Sequence, residues 1–293
     1  MSDSHTSSHF TPEDIAEFAR LRDLAVDIAT GAADLVRTQR ARFSADGSLR
    51  AETHSKSSDV DPVTIVDKAS EKYIVERIGA ARPDDGILGE EGANKPSATG
   101  YQWIVDPIDG TVNFLYNIPE YAVSVGIALG SEPVAGAVVN VATGDIFQAA
   151  HGAGATVTRD GKTSVLQAAQ VEDPARALVS TGFGYTANRR EAQAGVLTHL
   201  LPRVRDIRRM GAAALEICRV AEGVVDAYYE HGIHPWDYAA GAVIATESGV
   251  VFSHPGLQVS GTKGFPVVAT APGISGSFRD LFAASGGDQQ LPQ

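Results

Sequence analysis

The chain of 293 residues holds one cysteine (Cys218), two methionines and two tryptophans. A lone thiol excludes an internal disulfide and any CxxC metal knuckle. No run of about 18 uncharged apolar residues occurs, which excludes a helical membrane span. Met1 to Thr11 lacks both a basic stretch and an apolar stretch, so it does not read as a secretory leader. These absences together predict a cytoplasmic protein. No GxxxxGK[ST] run exists, which removes the P-loop class, and no HExxH motif supports zinc. Positive charge is also scarce: 24 Lys and Arg stand against 36 Asp and Glu, a net charge of −12. Nucleic-acid binding needs many cationic phosphate contacts and is disfavoured. A phosphorylated small molecule would be repelled as well, unless cations intervene. An acidic protein that handles phosphate therefore predicts bound divalent metal.

What is present is ordinary globular composition, 43% apolar and 20% charged. We expect a single domain over residues 12–285, in two packed halves of about 12–175 and 176–285. Residues 1–11 and 286–293 read as flexible tails, with His5 and His9 inert in the first. Thr11-Pro12-Glu13-Asp14 reads as a helix start, and apolar residues recur at helical spacing from Ile15 to Val36. A second helix is expected over about Asp67 to Ala81. Strands are expected at Tyr121 to Leu129, Pro133 to Val141, Leu178 to Thr181, Val224 to Tyr229 and Val267 to Thr270, with a hairpin tip at Arg159-Asp160-Gly161-Lys162. Further helices are expected at Arg189 to Leu201, Ala212 to Glu222, Trp236 to Ser248 and Ser275 to Ala284. Helices and strands fall in blocks rather than in strict alternation. That favours an α+β class with mixed or antiparallel sheets.

The chemistry concentrates in Trp103-Ile104-Val105-Asp106-Pro107-Ile108-Asp109-Gly110-Thr111-Val112-Asn113-Phe114. Two carboxylates three residues apart close an apolar segment, and Gly110-Thr111 then opens a helix whose first N–H groups favour an anion. A helix cap is an equally ordinary use of Thr111. Three other segments carry acids beside a strand or at a helix start: Asp61 to Asp67, Gly89-Glu90-Glu91-Gly92, and His234-Pro235-Trp236-Asp237. Taken alone, Glu90-Glu91 is also compatible with a plain charged turn. If the segments converge, unpaired carboxylates raise one another's pKa, and a divalent cation would keep them ionised. Mg²⁺ suits all-oxygen ligands shared with water and phosphate. His231 and His234 are not taken as ligands. The aspartyl nucleophile of the haloacid-dehalogenase class spaces its aspartates two apart. Asp106 and Asp109 are three apart, so direct attack by a metal-activated water is expected instead.

These segments resemble the inositol monophosphatase family, of the bacterial inositol-1-monophosphatase type. The resemblance rests on Gly89-Glu90-Glu91, on Trp103 to Phe114 and on Trp236-Asp237-Tyr238-Ala239-Ala240-Gly241. It is supported by Lys56-Ser57-Ser58, Asp67 and Asp226-Ala227-Tyr228-Tyr229-Glu230, and it spans roughly residues 14–284. It implies the layered αβαβα sugar-phosphatase fold, usually as a homodimer, and inhibition by lithium. It implies Glu90, Asp106 and the Ile108 carbonyl as ligands of a first Mg²⁺, and Asp106, Asp109 and Asp237 as ligands of a second. Glu90 would also reach a third, weaker metal. Thr111, oriented by Asp67, would partner the attacking water, with Glu90 helping to accept its proton. Gly110 and Thr111 would hold the phosphate, and Gly211, Ala213 and Glu230 would bind the hydroxyls of a phosphorylated polyol. The implied reaction is hydrolysis of myo-inositol 1-phosphate. Histidinol phosphate and other sugar phosphates are alternative substrates, and a binding or regulatory protein on the same fold is an alternative of another class. One departure stands out: Ala212 occupies a position where the family usually has Ser or Thr. Arg205, Arg208 and Arg209 just before it read as interface cations or as a second phosphate site, with the interface role favoured.

Overall fold

The structure, a computed structural model, describes residues 10–45 and 62–293. His5, His9, Lys56, Ser57, Ser58 and Asp61 lie outside the described residues. Helices α1 (Pro12–Ala45) and α2 (Pro62–Ala81) come first. The start of α1 is a reciprocal cap. The Thr11 hydroxyl accepts from the Asp14 N–H at 3.2 Å, and the Asp14 carboxylate accepts from the Thr11 N–H at 2.8 Å. Helix α1 runs well past Val36, where the apolar spacing ends.

Strands β1 (Gly86–Gly89), β2 (Asn94–Lys95) and β3 (Tyr101–Asp109) lead into the short helix α3 (Thr111–Tyr116). A meander follows: β4 (Ala122–Leu129), β5 (Glu132–Asn140), β6 (Ile146–Ala150), β7 (Ala155–Arg159) and β8 (Lys162–Val165). Arg159 pairs with Lys162 across Asp160 and Gly161, both at positive φ, so the expected hairpin tip forms. The remaining elements are β9 (Leu178–Thr181), α4 (Ala187–Leu200), β10 (Asp206–Arg208), α5 (Ala213–Ala221), β11 (Ala227–His231), α6 (Pro235–Glu247), β12 (Val251–Ser253), β13 (Pro266–Thr270) and α7 (Ser275–Ala284). Strand β11 starts later than its apolar run. The N–H groups of Val224 and Val225 both bond the Arg219 carbonyl and close α5 instead.

Two mixed sheets result, in the orders β2-β1-β3-β4-β5-β6-β7-β8 and β10-β9-β11-β13-β12. Helices α1 and α2 cover one face of the large sheet, packing Phe18, Ile28 and Ile74 against Val105, Val125 and Ile127. Helices α5 and α6 lie between the sheets, with Leu215, Cys218 and Val243 against Val138 and Phe147. Their other side, Ile217, Val220 and Tyr238, meets Tyr228, Val267 and Ala269 of the small sheet. Helices α4 and α7 close its outer face through Val196, Leu200, Phe278 and Phe282. The layers are therefore αβαβα. Gly126 and Gly136 let α6 lie directly on the large sheet, since a Cβ at either would stand 2.8 Å from the Ala240 backbone.

The C-terminal residues differ from their expectation as a loose tail. The Leu291 N–H bonds the Gly264 carbonyl at 2.9 Å, and the Pro292 carbonyl accepts from Arg189 Nε at 3.0 Å. Backbone pairing and a buried guanidinium hold a segment whose composition looked loose.

Candidate active site

The pleat of β3 brings its two acids to one face. Ile104 and Asp106 point toward the helices between the sheets. Strict alternation would put Ile108 beside them and send Asp109 to the opposite face. Pro107 has no N–H to give a ladder, and the register against β4 shifts between Asp106 and Asp109. Ile108 thus joins the core under α1 and α2, while Asp109 turns inward. Asp106 Oδ1 accepts from the Ile108 N–H at 3.0 Å. The carboxylate of Asp109 accepts from the Ala213 and Ala214 amides at 3.2 and 2.7 Å, which seats it on the N-terminus of α5.

Asp237 arrives from the first turn of α6. Its carboxylate accepts from the His234 N–H at 2.6 Å, and the His234 ring stacks on Trp236 at 4.5 Å between centroids. Oxygens of Asp106, Asp109 and Asp237 all lie within 4.8 Å of one another. Glu90, in the turn after β1, donates its N–H to the Val105 carbonyl at 3.3 Å and lines the same cleft as Asp106. That turn is held by Glu71 of α2, which accepts from the Glu91 and Ala93 amides at 2.9 and 3.0 Å. A Cβ on Gly89 would collide with the same Glu71 carboxylate.

Burial, followed by mutual repulsion, pushes the Asp106 and Asp109 carboxyls far above the usual range. Desolvation within the cleft raises Glu90, although that residue is exposed at its turn, and it carries half-buried Asp237 up to about 7. These groups cannot all be ionised together without a neighbouring cation. An all-oxygen donor set with no thiolate fits a hard divalent ion.

Gly110 caps α3 at φ 86°, and a Cβ there would stand 2.9 Å from the Glu120 carbonyl. The Thr111 hydroxyl donates to the Ile108 carbonyl at 3.2 Å, which leaves that oxygen a second lone pair. Asn113 Nδ2 donates to the carbonyls of Glu120 and Met210, both at 2.7 Å, and so ties α3 to the 210–211 turn. The same turn is held from below by buried Glu216, which accepts from the Met210 and Gly211 amides at 2.9 Å each. Glu230 lies on β11, one residue before its end, with its carboxylate against Gly182, where any Cβ would collide with it. Tyr228 donates to Glu230 at 2.8 Å, and burial raises the Glu230 carboxyl to about 8.

Glu90, Asp106, Ile108, Asp109, Gly110, Thr111, Gly211, Ala213, Glu230 and Asp237 all line one cleft of about 730 Å³. Asp67 does not line it. It is buried on α2 one turn before Ser70, whose hydroxyl donates to the Pro107 carbonyl at 3.3 Å. The arginine stretch splits. Arg208 pairs with Asp206 at 2.7 Å and Arg205 is exposed, whereas Arg209 lines the cleft, where its charge favours ionised Glu230. Sequence reasoning missed Glu71, Arg189, Gln193 and the Phe183-Gly184-Tyr185 rim. Only Glu71 left a trace, one helical turn after Asp67.

The sequence model of the inositol monophosphatase family matches residues 18–281. The chain belongs to the inositol monophosphatase family and is a phosphatase. Inositol-1-monophosphatase SuhB of Mycobacterium tuberculosis is 45% identical over 290 residues, covering 94% of this chain and 98% of that protein. A solved structure of Mycobacterium tuberculosis SuhB superposes with a TM-score of 0.80 at 43% identity, covering 92% of this chain and 98% of that one. A Pasteurella multocida protein named Nus factor SuhB is 37% identical over 226 residues, 76% of this chain and 82% of its own length.

Proposed function

We propose that this phosphatase hydrolyses myo-inositol 1-phosphate to inositol and phosphate, with Mg²⁺ as its cofactor. The carrying observation is one cleft lined both by the carboxylate cluster, with Asp106 and Asp109 buried and Asp237 half-buried, and by the half-buried carboxylate of Glu230. Glu90, Asp106 and the Ile108 carbonyl would hold one Mg²⁺, and Asp106, Asp109 and Asp237 a second. Bound there, the ions would activate water and neutralise charge at phosphorus and on the departing oxygen.

The chain's own residues supply the rest. Gly110 and Thr111 offer backbone N–H groups to the phosphate oxygens. The Thr111 hydroxyl, in a position supported by Asp67, orients the incoming water. Glu90 takes the proton that the water loses. Glu230 and the Gly211–Ala213 turn take the ring hydroxyls. Burial disfavours the charged form of Glu230, and its carboxyl already accepts from the Tyr228 hydroxyl while keeping lone pairs for a ring hydroxyl. A carboxyl whose charged form is disfavoured suits a neutral polyol ring better than the cationic side chain of histidinol phosphate, which calls for an ionised partner.

The test is phosphate release with and without Mg²⁺ from inositol 1-phosphate, histidinol phosphate and fructose 1,6-bisphosphate side by side. Mg²⁺-dependent preference for the first supports this reading. Preference for another ester moves the error to the Glu230 pocket, and Mg²⁺-independent turnover removes the cofactor assignment. We also propose a cytoplasmic homodimer inhibited by lithium. Light scattering and turnover in LiCl check the last two. Among the described residues no helix is long and apolar enough to cross a membrane.

A transcription-machinery role is a second reading, taken from the name of the Pasteurella relative. The observation in its favour is that Arg203, Arg205, Arg208 and Arg209 are all exposed on one short stretch. Filter binding to RNA at physiological salt decides it, with no retention the result expected from a charge of −12.

A further inference from the structure

The segment after α7 folds back onto the cleft. Gln293 lines the cleft wall, Leu291 is pinned to Gly264, and the Gly287 carbonyl accepts from His231 Nε2 at 2.7 Å. Arg189 of α4 is the pivot. It is 8% exposed, and its guanidinium donates to the carbonyls of Pro292, Gly261 and Thr262 at 3.0, 3.4 and 3.2 Å. No carboxylate pairs with it among the described residues. A buried cation that faces only carbonyls is tolerable when its donors are used, and here they staple separate segments.

Packing around the guanidinium is close. A Cβ on Gly232 would collide with it, and a Cβ on Gly264 would collide with the Leu291 carbonyl. Burial and the nearby Arg189 charge bring the His231 pKa down to about 4. The ring is therefore neutral at ordinary pH and keeps one N–H, which the Gly287 carbonyl fixes on Nε2. The helix that carries Arg189 also holds the rim of the cleft, since Gln193 Oε1 accepts from the Gly184 N–H at 2.9 Å. Gln193 Nε2 also donates to the Gly182 carbonyl at 3.5 Å, beside the Glu230 carboxylate, and none of these hydrogen bonds engages an acid of the cluster. None reaches β3, which carries Asp106 and Asp109.

We propose that residues 287–293 are a strap walling the polyol end of the cleft, with Arg189 as its clamp, and that this wall sets substrate fit rather than the chemistry at phosphorus. Arg189 is on this view a positioning residue, and the inference rests on the cleft being the phosphatase site. A docked strap presents Gln293 to the part of the substrate remote from the ester. A released strap leaves that end open to water while the acid cluster stays intact.

Two substitutions release the strap independently. Arg189→Met removes the clamp, and Leu291→Pro removes the N–H that bonds Gly264. Each is expected to raise KM for inositol 1-phosphate about five- to tenfold, the scale of one lost hydrogen bond, with kcat and the Mg²⁺ requirement unchanged. Because both free the same segment, the double variant should be no worse than the stronger single one. A merely structural Arg189 would lower Tm and kcat, leave KM alone and add to Leu291→Pro. Wild-type KM in Leu291→Pro overturns the inference, and this variant carries the test even if Arg189→Met fails to fold.

Hydrogen exchange at the Leu291 amide reads docking without turnover. It should be slow in the wild type, faster in Arg189→Met, and slowed further by added myo-inositol with phosphate. A wild-type Leu291 amide that is indifferent to those ligands contradicts the strap. A wild-type protein inactive on every ester contradicts the phosphatase site instead.

Discussion

Asp109 Oδ2 accepts a 2.7 Å hydrogen bond from the amide of Ala214, 105 positions further along the chain. This contact joins the strand that carries the acids to the helix packed between the sheets, and it explains how Ala212 is tolerated. Ala212 has no side-chain oxygen to cap helix α5, and the Asp109 carboxylate takes its first two amides instead. A hydroxyl is therefore not needed there. Ala212→Ser should change stability by less than about 1 kcal/mol, the size of a single cap, and leave the substrate preference in place. Thermal unfolding and KM for inositol 1-phosphate check both.

Glu71 holds the turn that carries Glu90. Removing its carboxylate frees the Glu91 and Ala93 amides and loosens the turn on which Glu90 stands. Glu71→Ala should raise the Mg²⁺ concentration for half-maximal activity and lower turnover by about 10- to 100-fold, as loss of a ligand's supporting partner generally does. A Mg²⁺ titration of activity measures it. An unchanged midpoint would mean that Glu90 holds its place without help.

Gly182 is the floor under Glu230. Gly182→Ala should displace that side chain and reproduce the effect of Glu230→Ala: a loss of about tenfold in kcat/KM for inositol 1-phosphate and much less for a simple aryl phosphate. Equal losses on both esters would place Glu230 outside the polyol pocket.

The pH dependence follows from the same acids. Folding without metal raises Asp237 to about 7 and Glu230 to about 8, while an unfolded chain ionises them near their ordinary values. Between those limits the folded state binds more protons than the unfolded one, so stability falls as pH rises. Chelator-treated protein should melt at a lower temperature at pH 8 than at pH 5.5. Added Mg²⁺ should raise Tm more at pH 8, where the carboxylates are free to bind it. Calorimetry at the two pH values, with and without Mg²⁺, tests the sign.

The acid motif was legible because it is local: Asp106, Asp109, Gly110 and Thr111 lie within one strand and one turn. The layered α+β class was legible from long periodic segments such as α1 and the β4–β5 hairpin. Strands β2, β10 and β12 were not, since two or three residues cannot show a period. The inward turn of Asp109 depends on a register shift at Pro107, and its partner amides lie far along the chain. Glu71 looked like one more acid on a helix face, because its role comes from backbone groups that it meets only after folding. Residues 286–293 looked loose because Gly287, Pro292 and their neighbours carry no periodic pattern. What holds them is Arg189, itself unremarkable in sequence.

If the cleft acids hold the ions on which phosphate release depends, loss of one acid should remove the response to metal. The most direct measurement is Mg²⁺-stimulated phosphate release by the wild type and by Asp106→Asn, with circular dichroism to show that both are folded. Strong Mg²⁺ stimulation is expected in the wild type, with a loss of about a hundred- to thousandfold in the variant, equivalent to a few kcal/mol of transition-state stabilisation. A folded Asp106→Asn protein with wild-type activity, or a wild type indifferent to chelation, would contradict it.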